Sequence, residues 1–297
     1  MVTRIAVASG KGGTGKTLVA TSLAQVAAEL APVALIDADV EAANAGLLLR
    51  ANYHARREVE MLVPVVDQDR CTHCGRCAEV CAFSAMASLP DRTLVFVEMC
   101  HGCGSCALNC PAGAISEVPH RIGVIHAGQA GTIALADGEL EIGEAMATPI
   151  IHALSQYATQ EGYSERRWLI VDAPPGTACP VIEALREADV ALLVTEPTPF
   201  GLHDLRLAVQ VARDVLGKPT GIVLNKDDGQ DRTVEDYCLA EGLPILMRIP
   251  YRREIAEAYA RGRSLVVALP EYRPAFRRLL EEADALRSVA EEQGVGA

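Results

Sequence analysis

Gly10-Lys11-Gly12-Gly13-Thr14-Gly15-Lys16-Thr17 sets the architecture expected of this chain. The octapeptide satisfies G-x-x-x-x-G-K-[ST] in full. It lies between a short apolar run, RIAVAS (4–9), and a helix-forming stretch from Lys16 to Leu30. Strand, glycine-rich turn and helix, in that order, gather backbone N–H groups at a helix N-terminus, where the dipole favours anions. Gly10, Gly12, Gly13, Thr14 and Gly15 would cradle phosphates, Lys16 would reach the β- and γ-phosphates, and Thr17 would ligate Mg²⁺.

Outward from this loop, further short apolar runs read as buried parallel strands: VALIDAD (33–39), WLIVDAP (168–174), VALLVTEP (190–197) and GIVLNK (221–226). Helical segments separate them, among them 202–216 and a last helix near 274–293 that carries Glu281, Glu282, Glu291 and Glu292. That acidic helix suits packing, because a membrane-surface helix favours Lys and Arg. Alternation of this kind predicts an α/β fold, a parallel sheet with helices on both faces. Residues 52–147 break the rhythm and read as an insert, so the nucleotide-binding domain is expected in two parts, 1–51 and 148–297. Within the insert, the Gly-rich stretch 123–143 looks like short antiparallel strands.

The insert holds CTHCGRCAEVC (71–81) and CHGCGSCALNC (100–110), each with the spacing C-x2-C-x2-C-x3-C and 29 residues apart. Eight of the ten cysteines sit in this duplication. The chain carries 27 Lys and Arg against 39 Asp and Glu, a net charge of −12, which argues against a nonspecific nucleic-acid surface. No apolar run has the length of a membrane span, and the N-terminus reads as a first strand, so a cytoplasmic setting is expected. Disulfides are rare there, which turns the cysteines towards metal or redox chemistry. Zinc remains open on the C-x2-C pairs alone.

The duplicated spacing is similar to that of bacterial two-cluster ferredoxins, here at about 64–118. The resemblance implies two 4Fe–4S clusters with crossed ligands: Cys71, Cys74, Cys77 and Cys110 on one, and Cys100, Cys103, Cys106 and Cys81 on the other. Pro111 follows the second run, but Ala82 stands where the first would carry proline.

With its extra Lys11, K-G-G-x-G-K-T resembles the deviant Walker A motif of the MinD/ParA/Mrp and nitrogenase iron-protein superfamily. The chain thus resembles a P-loop ATPase of that superfamily containing an inserted ferredoxin domain. The resemblance implies ATP hydrolysis in a homodimer, with Lys11 reaching the phosphates of the partner subunit. It implies that Asp39 orients the attacking water, that Asp37 lies close to the Mg²⁺ shell, and that Asp172 is the Walker B aspartate. A helix N-cap role is the alternative for either Asp37 or Asp39. Pro174-Pro175-Gly176 resembles switch II. Asn225-Lys226-Asp227-Asp228 resembles the base-reading loop; its N-K-x-D pattern also fits guanine through Asp228, so GTP stands beside ATP. Ile249-Pro250-Tyr251 is expected against the base or ribose, or else as a plain strand end. Cys179, seven residues after Asp172, matches a cluster-ligating cysteine of the nitrogenase iron protein; otherwise it is a small buried side chain. Cys238 is expected in a helix core. Three functions follow: an ATP-dependent electron-transfer protein with a redox client, an iron–sulfur carrier or scaffold with a metallocluster client, and a spatial organiser of the MinD/ParA kind.

Overall fold

A computed structural model describes residues 2–292 of the chain. Two compact units emerge. The first comprises residues 1–56, 125–139 and 151–297; the second comprises 57–124 and 140–150. The expected insert, 52–147, takes in the first segment of the second unit together with 125–139 of the first. The 64–118 stretch falls inside the second unit.

The strands are β1 (Thr3–Ser9), β2 (Val33–Asp37), β3 (Asn52–Val66), β4 (Met86–Ser88), β5 (Thr93–Val95), β6 (Ile115–Ala130), β7 (Ile133–Leu140), β8 (Trp168–Pro175), β9 (Val190–Thr195), β10 (Thr220–Asp227) and β11 (Ile245–Pro250). Nine of them form one sheet in the order β11-β10-β9-β1-β8-β2-β7-β6-β3. The pairs from β11 to β7 run parallel. Strands β1, β2 and β9 are buried along almost their whole length because each is an unbroken apolar run, the pattern of a sheet covered on both sides. The helices Lys16–Ala28 and Arg273–Glu292 pack together, and Cys179–Arg186 and Pro199–Val209 form a separate group. Both groups meet β1 and β8 or β9, and their main contacts are with the sheet and within each group rather than with each other, as for helices on opposite faces. Gln293, the expected end of the last helix, lies outside the described residues.

The 123–143 stretch departs from expectation. It contains the end of the 16-residue strand β6 and then β7, which pairs in parallel with β2 from Ala34↔Ala134 to Asp37↔Asp137. The expected antiparallel pairing is nevertheless present: β6 and β7 are sheet neighbours joined by Gly131-Thr132, and a two-residue link makes them antiparallel back to the Glu141 amide on the Ile122 carbonyl.

In the second unit, β4 and β5 form a small antiparallel ribbon. The sequence duplication is repeated in backbone conformation. Gly75 and Gly104, both left-handed (φ 78° and 72°), precede the short helices Arg76–Glu79 and Ser105–Leu108. His73 and Gly102 match at φ 53° and 63°, and Ser84 and Gly113 at φ 56° each. The same turn is thus built twice, once with glycine at two positions where the other copy accepts a strained side chain.

Candidate functional site

The carboxyl ends of β1, β2, β8, β10 and β11 bring together most of the predicted nucleotide residues, as expected for ligand crevices in parallel sheets. Gly13 and Gly15 adopt φ of 79° and 99°, which only glycine holds without strain. A Cβ on Gly15 would overlap the Asn225 side chain, and one on Gly10 would overlap the Asp204 backbone. Asn225 is spent on bracing this loop: its Nδ2 donates to the Thr14 carbonyl at 2.6 Å, and its Oδ1 accepts from the Lys226 amide. Lys16 is 6% exposed at the start of its helix.

Two carboxylates, Asp39 and Asp172, stand near Lys16, and Asp37 stands beside Asp172. Asp37 accepts from the amides of Asp39 (3.1 Å), Asn44 (2.9 Å) and Ala45 (2.9 Å), the last two at the start of the Ala45–Leu49 helix. In this structure it performs the capping role that the sequence left open. Burial nevertheless pushes its pKa up to about 6, against the pull of those donors. Asp172, paired in register with Asp37, is fully buried, and neither carboxylate oxygen has a hydrogen-bond partner. Burial drives its pKa well above the usual range and the Asp37 charge adds to this; Thr17 and Lys16 lie near enough to oppose without completing a hydrogen bond. Asp39 is half-buried and also raised by burial, with Lys16 pulling it down. An orphaned buried carboxylate beside a phosphate loop is what a hydrated cation would satisfy.

This arrangement has a measurable cost. Asp37 and Asp172 hold protons more tightly in the folded than in the unfolded chain, so the stability they give is complete below about pH 3.8. The share of Asp37 is lost as pH rises through about 6, and that of Asp172 as pH rises through its own raised value. At pH 7, without nucleotide, Asp172→Asn is expected to be more stable than wild type by about 1–3 kcal/mol, because the amide cannot take on the buried charge that the carboxylate is under pressure to carry. Thermal unfolding at pH 4, 5.5 and 7, with and without Mg-ADP, checks this. The advantage should vanish at pH 4 and reverse with Mg-ADP; a variant less stable at pH 7 without nucleotide contradicts it.

Lys11 is held within its own chain. Its Nζ lies 3.6 Å from Glu196, whose other oxygen accepts from Lys226 Nζ at 2.6 Å. Beside the phosphate loop, a cavity of about 750 Å³ is lined by Gly13, Gly15, Leu18, Asn225, Pro250 and Tyr251, together with Arg252, Ile255, Ala256 and Tyr259. The last four escaped sequence reasoning, because they lie on or beside the Arg253–Ala260 helix, which has no motif of its own. Asp228 does not line the cavity; its carboxylate accepts from the Gln230 amide in its own loop. Gly176 follows β8 with φ 96°, and Cys179 opens the Cys179–Arg186 helix as an exposed, not a buried, thiol. Cys238 is buried in the Thr233–Ala240 helix.

In the second unit the eight insert cysteines divide between two cavities. Cys71, Cys74, Cys77 and Cys110 line one; Cys81, Cys100, Cys103 and Cys106 line the other. All are free thiols. Among the described residues no three His, Cys, Asp or Glu side chains close on one point as a lone metal ion requires; each cysteine set surrounds a space instead. Backbone amides point at three sulfurs: Ala85 at Cys81 (3.2 Å), Gly102 at Cys100 (3.4 Å) and Ala114 at Cys110 (3.3 Å). Burial pushes the Cys77 and Cys106 thiols up, while the Ser105 hydroxyl lowers Cys103.

The family model for the CobQ/CobB/MinD/ParA nucleotide binding domain matches residues 5–266. The chain belongs to this family. An uncharacterized protein of Methanocaldococcus jannaschii is 36% identical over 208 residues, 70% of this chain and 72% of that relative. An iron–sulfur cluster carrier protein of Pseudomonas fragi is 24% identical over 288 residues, 90% of this chain and 79% of its own. Among solved structures, the septum site-determining protein MinD of Pyrococcus horikoshii OT3, complexed with Mg-ADP, superposes with a TM-score of 0.60 at 20% identity, covering 97% of this chain and 98% of its own. That likeness shows the fold. Among the described residues no helix is long and apolar enough to cross a membrane.

Proposed function

We propose that the chain is a Mg-ATP-dependent switch with two resident 4Fe–4S clusters, in which an ATP-driven homodimer is coupled to electron transfer to a redox partner. One observation carries this reading. The two cavities collect the cysteines in the crossed sets, three from one run and one from the other, on the same chain as a complete phosphate loop.

The residues fit the group. A cubane needs four thiolates around a volume, where zinc needs four closing on a point, and amide donors at the sulfurs tune its potential. The raised thiol pKa values of Cys77 and Cys106 would be overturned by bound iron, since a coordinated thiol is deprotonated. When bound, each cluster supplies one-electron storage and release. In the first unit, Lys16 and the loop amides would bind the phosphates, and Thr17 and Asp172 would hold Mg²⁺ directly or through water. Asp39 would orient the attacking water, and Lys11 of each subunit would stabilise charge on the phosphates bound by the other. The adenine ring is favoured over guanine because Asp228 faces its own loop and Asn225 braces Thr14.

Anaerobically reconstituted protein is expected to hold about eight irons and eight sulfides per chain. After reduction, Mg-ATP should alter its EPR spectrum. A content near one or two metal ions per chain, or a spectrum indifferent to Mg-ATP, would sink the reading. A second reading, an iron–sulfur carrier, is favoured by the relative of that name and by the exposed Cys179. It requires transfer of iron and sulfide to an apo acceptor, with loss of transfer in Cys179→Ala.

A further inference from the structure

Asp137 carries no role in the readings above, yet it continues a row. Asp172 on β8 pairs with Asp37 on β2, and Asp37 pairs with Asp137 on β7. Residues level with one another on parallel strands project from the same face, so three carboxylates stand side by side. Asp137 is 6% exposed and accepts a hydrogen bond from the Tyr53 hydroxyl. A third carboxylate in such a row is costly, and mere packing would be served better by an apolar side chain.

Tyr53 itself is seated by two missing side chains. A Cβ on Gly46 would overlap its hydroxyl, and one on Gly128 would overlap the Asn52–Tyr53 backbone. Glycine weakens both a helix and a strand interior, so each marks a close approach that the fold retains at a cost. The His126 ring stands edge-on to Tyr53 at 5.9 Å. Gly46 belongs to the Ala45–Leu49 helix, whose first amides are held by Asp37. That helix is therefore held at its start by Asp37 and closely approached one residue later by the Tyr53–Asp137 pair. The loop leading into it carries Asp39. Tyr53 is the second residue of β3, and β3 continues past Arg56 as the first segment of the cysteine-bearing unit, ending five residues before Cys71.

We propose that the Tyr53 hydroxyl and the Asp137 carboxylate form the joint through which the Asp39 loop and the Ala45–Leu49 helix displace β3 when the nucleotide changes. The inference rests on the coupled-switch reading above and names the residues that carry the coupling. Tyr53 acts here as a positioning residue: it touches the moving helix, not the nucleotide.

Hydrogen exchange of peptides covering 52–66, with and without Mg-ATP, tests it on the full chain. In wild type, Mg-ATP should change exchange there by at least about threefold, the scale of a local opening equilibrium being shifted. Tyr53→Phe removes only the hydroxyl and keeps the ring against His126. It should lose more than half of that response while retaining Mg-ATP affinity and iron content, which a merely misfolded variant would not. Gly46→Ala places a methyl where the hydroxyl sits and should lose the response in the same way. If wild type responds and both variants respond equally, the joint is wrong and the coupling stands. If wild type itself does not respond, the coupling reading fails and takes the joint with it.

Discussion

Cys110→Ser protein is expected to lose iron from the cavity of the first cysteine run, although Cys110 lies in the second. Its Sγ lines the space shared with Cys71, Cys74 and Cys77, and Cys81 lines the space of Cys100, Cys103 and Cys106. Each run therefore closes the other's site. A serine oxygen is a poor ligand for iron in a cubane, so each single variant should fall from about eight to about four irons per chain after anaerobic reconstitution. The retained cluster identifies which site was broken. In Cys110→Ser it should be lost on further substitution of Cys100 and survive substitution of Cys71; Cys81→Ser should show the reverse. If Cys81 and Cys110 instead served their own runs, that pattern would invert. The amides of Ala85 and Ala114, which donate to these two sulfurs, occupy equivalent places in the duplicated turns, so the two losses should be of similar size.

Lys11→Ala should reduce Mg-ATP turnover by about 10³-fold, the lower range for removing a trans-acting cation from phosphoryl transfer. Nucleotide affinity of the separate subunit should change far less, because in this structure Lys11 sits on Glu196 rather than in the phosphate loop. Releasing it costs little. At 3.6 Å the partly buried pair is too long for a good hydrogen bond, and Glu196 keeps Lys226 at 2.6 Å when Lys11 leaves. A mixing experiment separates a trans role from a local one. Lys16→Ala chains, unable to bind nucleotide but still bearing Lys11, should restore turnover when mixed with Lys11→Ala chains. Turnover within about threefold of wild type in Lys11→Ala, or no restoration on mixing, would remove the trans role.

Much of both sites was legible because their chemistry is local. The phosphate loop needs glycine at Gly13 and Gly15 for its left-handed turns, and the cysteine spacing of each run is a property of one short loop. Strand β7 reads as one partner of an antiparallel pair, which it is with β6, and its parallel pairing with β2 was missed for a physical reason. IALADGEL (133–140) follows a two-residue turn and is rich in small residues, so its period is ambiguous between a hairpin partner and a buried parallel strand. The signal that would have found Asp137 was present. Like Asp37 and Asp172, it is a lone aspartate closing an apolar run. Asn225 shows the opposite limit: the motif marked it for the base, and only the fold reveals its amide committed to Thr14.

The sequence by itself determined the phosphate loop, the parallel α/β architecture, the two cysteine runs and the family. These depend on residues within a few positions of one another, where backbone geometry translates spacing into shape. Tertiary structure alone decided that Lys11 rests on Glu196 185 positions away and that Tyr53 bonds Asp137 across 84 positions. Such contacts are set by strand order and register. No local pattern encodes these, because register belongs to the sheet as a whole.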